Sequence, residues 1–204
     1  MRYGLKGVLS IGFGILLFAG PLRAGTGTPP SPDASAVVYR FEDHLNEAKT
    51  ILRFKDKRND QTGIWKDDAF LFSGTGAESD IRLVVETVNE VQGNWIVANP
   101  IADVLRRIQF QKVPPASALR LYYLVDTAEQ KSEKGKVAAY FDFRIWAGQH
   151  EIKKIRVPVT KLALKKETLD LGPVAFLNRN INISFEIYSE SKRDAYFGFK
   201  GELV

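Results

Sequence analysis

The sequence has no cysteine and only two histidines, His44 and His150. The absence of cysteine excludes disulfides, thiolate nucleophiles, a lipid-modified N-terminal cysteine and Cys-based zinc or iron–sulfur sites. Ser-His-Asp catalysis would need one of the two histidines, and the chain contains no G-x-S-x-G element. The composition therefore argues against several catalytic and metal-binding classes.

The sequence also lacks an apolar run of the roughly 20 residues that a membrane-spanning helix needs. Its longest run, residues 7–20, has 14 residues and follows the basic residues Arg2 and Lys6. A basic start, a short apolar run and a small residue at Ala24 are typical of an export signal. We expect residues 1–24 to be a signal peptide and the protein to be periplasmic or extracellular; an uncleaved membrane anchor is the alternative.

The excess of positive charge is small once this segment is set aside. The whole chain has 29 basic and 24 acidic residues, a net charge of +5, and residues 1–24 contain three of the basic residues and no acid. The remaining chain has 26 basic and 24 acidic residues, a net charge of +2. A general role in binding nucleic acid or an anionic membrane therefore has little support.

Beyond the signal, one domain is expected. Residues 25–35 are small, polar and rich in proline, which is typical of a flexible linker. Residues 36–204 contain no second linker and no internal repeat. The 13 Phe, 7 Tyr and 3 Trp of the chain provide enough apolar volume for a single core.

Period-2 alternation dominates the domain. Short polar segments separate β-branched and aromatic stretches, and the sequence AGQH at 147–150 suits a hairpin loop. The predicted strands are 36–41, 64–72, 81–88, 118–126, 136–146, 151–159, 181–189 and 195–203. Antiparallel strands with short loops predict a mainly β fold, an antiparallel β-sandwich of the jelly-roll type with one or two short helices.

Three segments are less regular. Residues 99–108 predict the clearest helix, because Asn99 can cap it, Pro100 suits its first turn and the apolar residues share one face; the alternative is a continuing strand. Residues 42–54 fit helical spacing, although their second half also fits a strand. The lysine-rich residues 161–167 are expected to form a loop or an exposed turn.

Strand alternation assigns side chains to two faces. Three strands each present an apolar row that is expected to face the core. These rows are Leu119, Leu121, Tyr123 and Val125; Val137, Ala139, Phe141, Phe143 and Ile145; and Ile181, Ile183, Phe185 and Ile187, with Phe197, Phe199 and Leu203 completing the core from the last strand.

The opposite faces combine aromatic rings with charges. The candidate binding residues are Tyr122, Tyr140, Asp142, Arg144, Trp146, Glu186 and Tyr188. Flat rings stack on the apolar faces of sugars, while carboxylates and guanidinium groups bond to hydroxyls. This pattern predicts a carbohydrate-binding face, with Tyr122 joining it if strands 118–126 and 136–146 pair. Ordinary cross-strand pairing is the alternative interpretation.

This order of aromatic-rich strands behind a signal peptide resembles galactose-binding-like β-sandwiches, the fold of many carbohydrate-binding modules. The resemblance covers residues 36–204 as a pattern and carries over no family residue. It implies that a structural calcium between the first and last strands is possible, for which Glu42, Asp43 and Glu202 are the candidate ligands. No other cofactor is expected.

The functional hypothesis is an exported, non-catalytic module that binds a carbohydrate or another cell-envelope component. One alternative is a structural or assembly protein that docks another envelope protein. A second is a glycan hydrolase that uses Asp142 and Glu186 as its two carboxylates.

Overall fold

The structure is a computed structural model that describes residues 36–56, 59–76, 79–88, 91–126, 139–159, 162–172, 181–190 and 195–204. All described residues belong to one compact unit, Ser35–Val204. The predicted signal peptide and linker therefore lie outside the described residues. Within the described part of the chain, no helix is long and apolar enough to cross a membrane.

The described residues form fourteen strands and one 3-10 helix, Glu42–Glu47. The strands are β1 (Tyr39–Arg40), β2 (Lys49–Phe54), β3 (Gln61–Thr62), β4 (Ile64–Lys66), β5 (Ala69–Leu71), β6 (Ile81–Val88), β7 (Val91–Val97), β8 (Val104–Val113), β9 (Ala118–Asp126), β10 (Tyr140–Ala147), β11 (His150–Pro158), β12 (Leu162–Asp170), β13 (Ile181–Ser189) and β14 (Tyr196–Leu203).

These strands form two antiparallel sheets. Sheet A has the order β12-β9-β14-β7-β6-β5-β4, with β1 also pairing with β14, and sheet B has the order β11-β10-β13-β8-β2-β3. The predicted mainly β sandwich is confirmed. The predicted hairpin loop is also confirmed, since Ala147 pairs with His150 and Gly148 adopts a φ of 59°, a conformation that glycine adopts without steric cost.

The core lies between the sheets and is filled by phenylalanine rings. Phe143 of sheet B lies 5.0 Å from Phe197 and 5.1 Å from Phe199 of sheet A, measured between ring centroids. The predicted inward rows of β9, β10 and β13 are buried, with Ala139 and Ile181 partly buried at the row ends; Val137 lies outside the described residues. Leu124, which alternation places on the opposite face of β9 from the inward row, is also buried.

The helix predicted at 99–108 is wrong. Residues 104–113 form β8, which pairs with β2 and β13, so the alternative of a continuing strand is correct. Asn99 accepts a hydrogen bond from the Phe197 N–H instead of capping a helix, and Asp103 has a φ of 58°. The buried row of β8 contains Arg106, and this charge concealed the period-2 pattern of the strand.

Strand pairing also determines the secondary structure of two other irregular segments. The 3-10 helix and β2 divide residues 42–54 between them, so both features of that segment occur. The loop or turn predicted at 161–167 is wrong, because these lysines belong largely to β12, which pairs with β9. An edge strand accepts exposed lysines readily, since one of its sides has no partner strand.

Candidate binding face on sheet B

β10 holds four of the seven predicted site residues in one row. Its inward residues Phe141, Phe143 and Ile145 are buried, and the strand is paired on both sides, by β11 and β13. The buried inward face and the two neighbouring strands hold β10 in place. They therefore fix the directions of its outward residues, Tyr140, Asp142, Arg144 and Trp146. Since alternate residues lie about 7 Å apart, the row from Tyr140 to Trp146 extends over roughly 20 Å.

At one end of the row, Tyr140 is the most accessible aromatic ring of the site, with 39% of its surface exposed. The guanidinium carbon of Arg156, an exposed residue on β11, lies 4.7 Å from the centroid of the Tyr140 ring. A guanidinium group over an aromatic face is attracted by the ring quadrupole. The pair therefore forms a combined aromatic and cationic surface.

Asp142, beside Tyr140, is held by two cations. Its Oδ2 atom accepts a hydrogen bond from Arg144 at 3.0 Å and lies 2.9 Å from the Lys154 ammonium. Partial burial raises the pKa of the Asp142 carboxyl, but the bonds from Lys154 and Arg144 outweigh it and leave that pKa below its ordinary value. Asp142 therefore remains ionised at neutral pH.

At the other end of the row, Glu186 of β13 is only 4% exposed. Trp146 donates its indole N–H to Glu186 Oε2 at 2.9 Å, and Arg107 of β8 donates its Nε–H to Oε1 at 2.6 Å. We had expected Glu186 to face a ligand, but the structure buries it beneath these two side chains. Its carboxylate can therefore fix the indole and guanidinium in place without touching a ligand.

Tyr188 lies on β13 directly opposite Asp142 and borders a cleft of about 250 Å³. The cleft is also lined by Arg53, Phe54, Lys55, Asp60, Asp103 and Leu105. Arg53 donates two hydrogen bonds to Asp60, both 2.8 Å long. Tyr188 thus connects the β10 row to a recess whose charges are largely paired.

Tyr122 does not join this face. The condition for its joining, pairing between strands 118–126 and 136–146, is not met, because β9 pairs with β12 and β14 in sheet A. Tyr122 instead lies on the outer side of sheet A, with the Lys200 ammonium 5.1 Å and the Lys166 ammonium 5.8 Å from its ring centroid. Six of the seven predicted residues therefore share sheet B, and one does not.

Three cations of the face were missed by the sequence argument: Arg107, Lys154 and Arg156. Lys154 and Arg156 are two residues apart, and their alternation in residues 151–159 would have placed them on one side of β11. Arg107 was obscured by the helix prediction for its segment. Their positions beside Asp142, Tyr140 and Glu186 depend on strand pairing.

The two carboxylates considered for hydrolysis are both engaged. Asp142 pairs with Arg144 and Lys154, and both oxygens of Glu186 accept hydrogen bonds. A general acid needs a raised pKa, whereas the pKa of Asp142 is lowered. The geometry therefore gives this pair no specific support as a glycosidase centre.

The candidate calcium ligands are not brought together. Glu42 is buried in the 3-10 helix, Asp43 is exposed, and Glu202 accepts a hydrogen bond from Arg40 at 3.2 Å. Among the described residues, no group of three His, Cys, Asp or Glu side chains could hold a metal ion. This donor set therefore does not fit a calcium ion.

No protein-family model and no curated protein matches the chain. Among solved structures, it is similar to xylanase 10C from Cellvibrio japonicus in complex with xylopentaose (8% identity, TM-score 0.37), covering 76% of this chain and only 27% of that one. It is also similar to TmCBM61 in complex with β-1,4-galactotriose (14% identity, TM-score 0.36), covering 64% and 86% of the two chains. A third is a structure described for carbohydrate-binding modules of the β-sandwich superfamily (9% identity, TM-score 0.37), covering 74% and 82%.

Carbohydrate-binding modules recur among these structures. Because these TM-scores are below 0.5, the similar structures do not identify the ligand of this chain. The surface of the chain itself carries the evidence for a ligand. That surface carries an aromatic ring at each end of the β10 row, with Trp146 hydrogen-bonded to Glu186 and Tyr140 beneath the Arg156 guanidinium.

Proposed function

We propose that this protein is an exported, non-catalytic module that binds a carbohydrate or another cell-envelope ligand on the outer face of sheet B. The observation that carries the proposal is the β10 row, in which exposed Tyr140 and half-buried Trp146 stand at opposite ends of one rigid strand. Export rests on the leader-like residues 1–24. The row could contact several sugar units of an extended chain.

Preorganisation supports this proposal. The indole of Trp146 is fixed by its hydrogen bond to Glu186, and Tyr140 is fixed by Arg156. Rings that are already ordered lose little rotamer freedom when a ligand stacks on them, so less binding energy is spent on ordering. The polar groups between the rings suit the hydroxyls of a sugar.

The decisive experiment compares two variants at one end of the row. Trp146→Ala removes the ring, whereas Trp146→Phe keeps a flat apolar surface and removes only the indole N–H. Binding to a glycan array, followed by calorimetry on the best ligand, should show a loss of about 1–3 kcal/mol for the alanine variant, as for rings stacked on other flat ligands. The phenylalanine variant should lose less than half of that.

Stability measurements separate this role from a structural one. Both variants lose the hydrogen bond from the indole N–H to the buried Glu186 carboxylate, which contributes about 1.5–3 kcal/mol, so this part of the fall in melting temperature should be common to both. If both variants bind like the wild type while the alanine variant is several kcal/mol less stable, Trp146 is a packing residue and the proposal is wrong.

A second candidate function, docking of another envelope protein, is favoured by one observation. Ile64 and Leu71 lie directly opposite each other on β4 and β5 at the edge of sheet A, with 73% and 39% of their surfaces exposed. Apolar residues exposed beside a sheet edge are typical of a contact surface. Co-purification of a defined partner that is lost in an Ile64→Ser/Leu71→Ser variant would support this function over glycan binding.

A further inference from the structure

The two ends of the β10 row differ in charge. Among the described residues, the contacts at the Tyr140 end of the row join three cations, Arg144, Lys154 and Arg156, either to Tyr140 or to one carboxylate, Asp142. Their formal sum is +2. The excess is local, since residues 25–204 as a whole carry only +2 on 50 charged side chains.

Asp142 is already engaged by two of the three cations. Its Oδ2 atom already contacts both Arg144 and Lys154. Arg156 has no carboxylate within ion-pair distance among the residues that the structure describes, and its guanidinium group stacks on Tyr140. Stacking leaves the N–H groups at the rim of the guanidinium plane available, and these groups match a carboxylate in geometry.

Arg144 adds a second unused donor. Its terminal NH2 group donates to Asp142, but its Nε atom is buried and has no hydrogen-bond partner in the described structure. A buried N–H without a partner is costly, so Arg144 has a hydrogen-bonding capacity that the described structure leaves unused.

Within the part of the chain that the structure describes, the opposite end shows no such excess. Arg107 is matched by the buried carboxylate of Glu186, and Trp146 uses its own N–H on the same group. Glu151 of β11, the residue opposite Trp146 in the ladder, is exposed and acidic. The row therefore runs from a positive end at Tyr140 to a neutral or slightly negative end at Trp146.

We propose that the ligand of this face is an acidic glycan, one of whose uronic-acid carboxylates binds Arg156 beside Tyr140. The inference rests on the proposed glycan-binding function and names the class of glycan. The sugar ring that bears the carboxylate lies against Tyr140, and the following sugars extend along Arg144 toward Trp146. Selection for the acid comes from Arg156, while Trp146 contacts acidic and neutral chains alike.

The test uses matched oligosaccharides. Hexamers of galacturonic, mannuronic and glucuronic acid are each compared with their carboxyl-reduced neutral counterparts by calorimetry in 0.05 M NaCl. At least one acidic hexamer should bind ten or more times more tightly than its neutral counterpart. Raising the salt to 0.5 M should shrink that ratio, because exposed charges are screened over a few ångströms at high ionic strength.

Variants assign the preference to Arg156. Arg156→Gln should reduce the acid-to-neutral ratio to about one, because acidic hexamers should lose more affinity than neutral ones. Lys153→Gln is the matched control: it removes one positive charge from the same strand, but Lys153 pairs with Glu167 of sheet A. The control should keep the preference. Trp146→Ala should weaken acidic and neutral hexamers by similar factors.

The possible failures are distinguishable. Equal binding of acidic and neutral hexamers, or equal loss of both in Arg156→Gln, overturns the acidic-glycan inference and leaves glycan binding standing. Binding of polyglutamate as tight as that of the best hexamer also overturns it, since charge alone would then suffice. If neither the hexamers nor a neutral glycan array is bound, the proposed function fails and the inference fails with it.

Discussion

Replacing Glu42 by glutamine is expected to remove a pH-dependent destabilisation of the fold. Glu42 belongs to the 3-10 helix, is only 5% exposed, and has an Oε2 atom with no hydrogen-bond partner in the described structure. Burial raises the pKa of its carboxyl from 4.5 to about 7, against the smaller opposing effects of backbone N–H groups and the Lys200 charge; the neighbouring Asp43 charge adds to the rise.

The sign follows from proton binding. Because the folded state holds this proton more tightly than the unfolded state, the contribution of Glu42 to stability falls as the pH rises from about 4.5 to about 7. A difference of about 2.5 pKa units corresponds to about 3 kcal/mol. Above pH 7, the wild type carries this full cost, whereas a neutral glutamine of similar shape does not.

The assay is urea unfolding followed by tryptophan fluorescence at pH 5 and pH 8. Relative to the wild type, Glu42→Gln should be about 3 kcal/mol more stable at pH 8 and should differ much less at pH 5. For a domain of this size, the gain at pH 8 corresponds to about 6–12 °C in melting temperature. The contributions of other titrating groups to the free energy of unfolding cancel when the variant is compared with the wild type at the same pH.

Glu47→Gln is the matched control. Glu47 is on the same 3-10 helix, but 70% of its side chain is exposed, so its replacement should change stability by less than about 1 kcal/mol at either pH. A Glu42→Gln variant that is no more stable than the wild type at pH 8, or whose effect is the same at both values of pH, would refute the reasoning.

Two further predictions concern the core and the leader. Phe143→Ala should destabilise the protein by about 3–5 kcal/mol in urea unfolding, because Phe143 is fully buried between the sheets. Tyr140→Ala, in the same strand but facing outward, should cost much less. Equal losses in the two variants would contradict the assignment of these side chains to opposite faces. N-terminal sequencing of the protein recovered from the cell envelope or medium should begin near Gly25; cytosolic protein that retains Met1 would contradict export.

Much of the fold was predictable because its signals are local. Alternation in β9, β10 and β13 assigned the inward rows correctly, since the direction of a side chain in a strand depends only on its position within that strand. The prediction failed at β8, where the inward row includes a buried arginine, Arg106. A charge in that row broke the apolar alternation, while the neighbouring apolar residues happened to fit a helical period as well.

The candidate site was predicted less completely, because its contacts join residues that are distant in sequence. Tyr122 and Tyr140 have the same outward orientation relative to the core, yet they lie on opposite sides of the sandwich because their strands pair with different partners. Glu186 was assigned to the outer face correctly, but its burial depends on Trp146 and Arg107, which are 40 and 79 positions away.

The sequence by itself determined that the domain is built from antiparallel strands and which residues of its longer strands face the core, because both follow from alternation within each strand. Only the tertiary structure decided which strands are neighbours, and strand pairing depends on contacts across the whole chain. That pairing places Arg156 over Tyr140, leaves Asp142 bound by two cations and conceals Glu186 beneath an indole. The local charge of the face results from those pairings, which the near-neutral composition does not reveal.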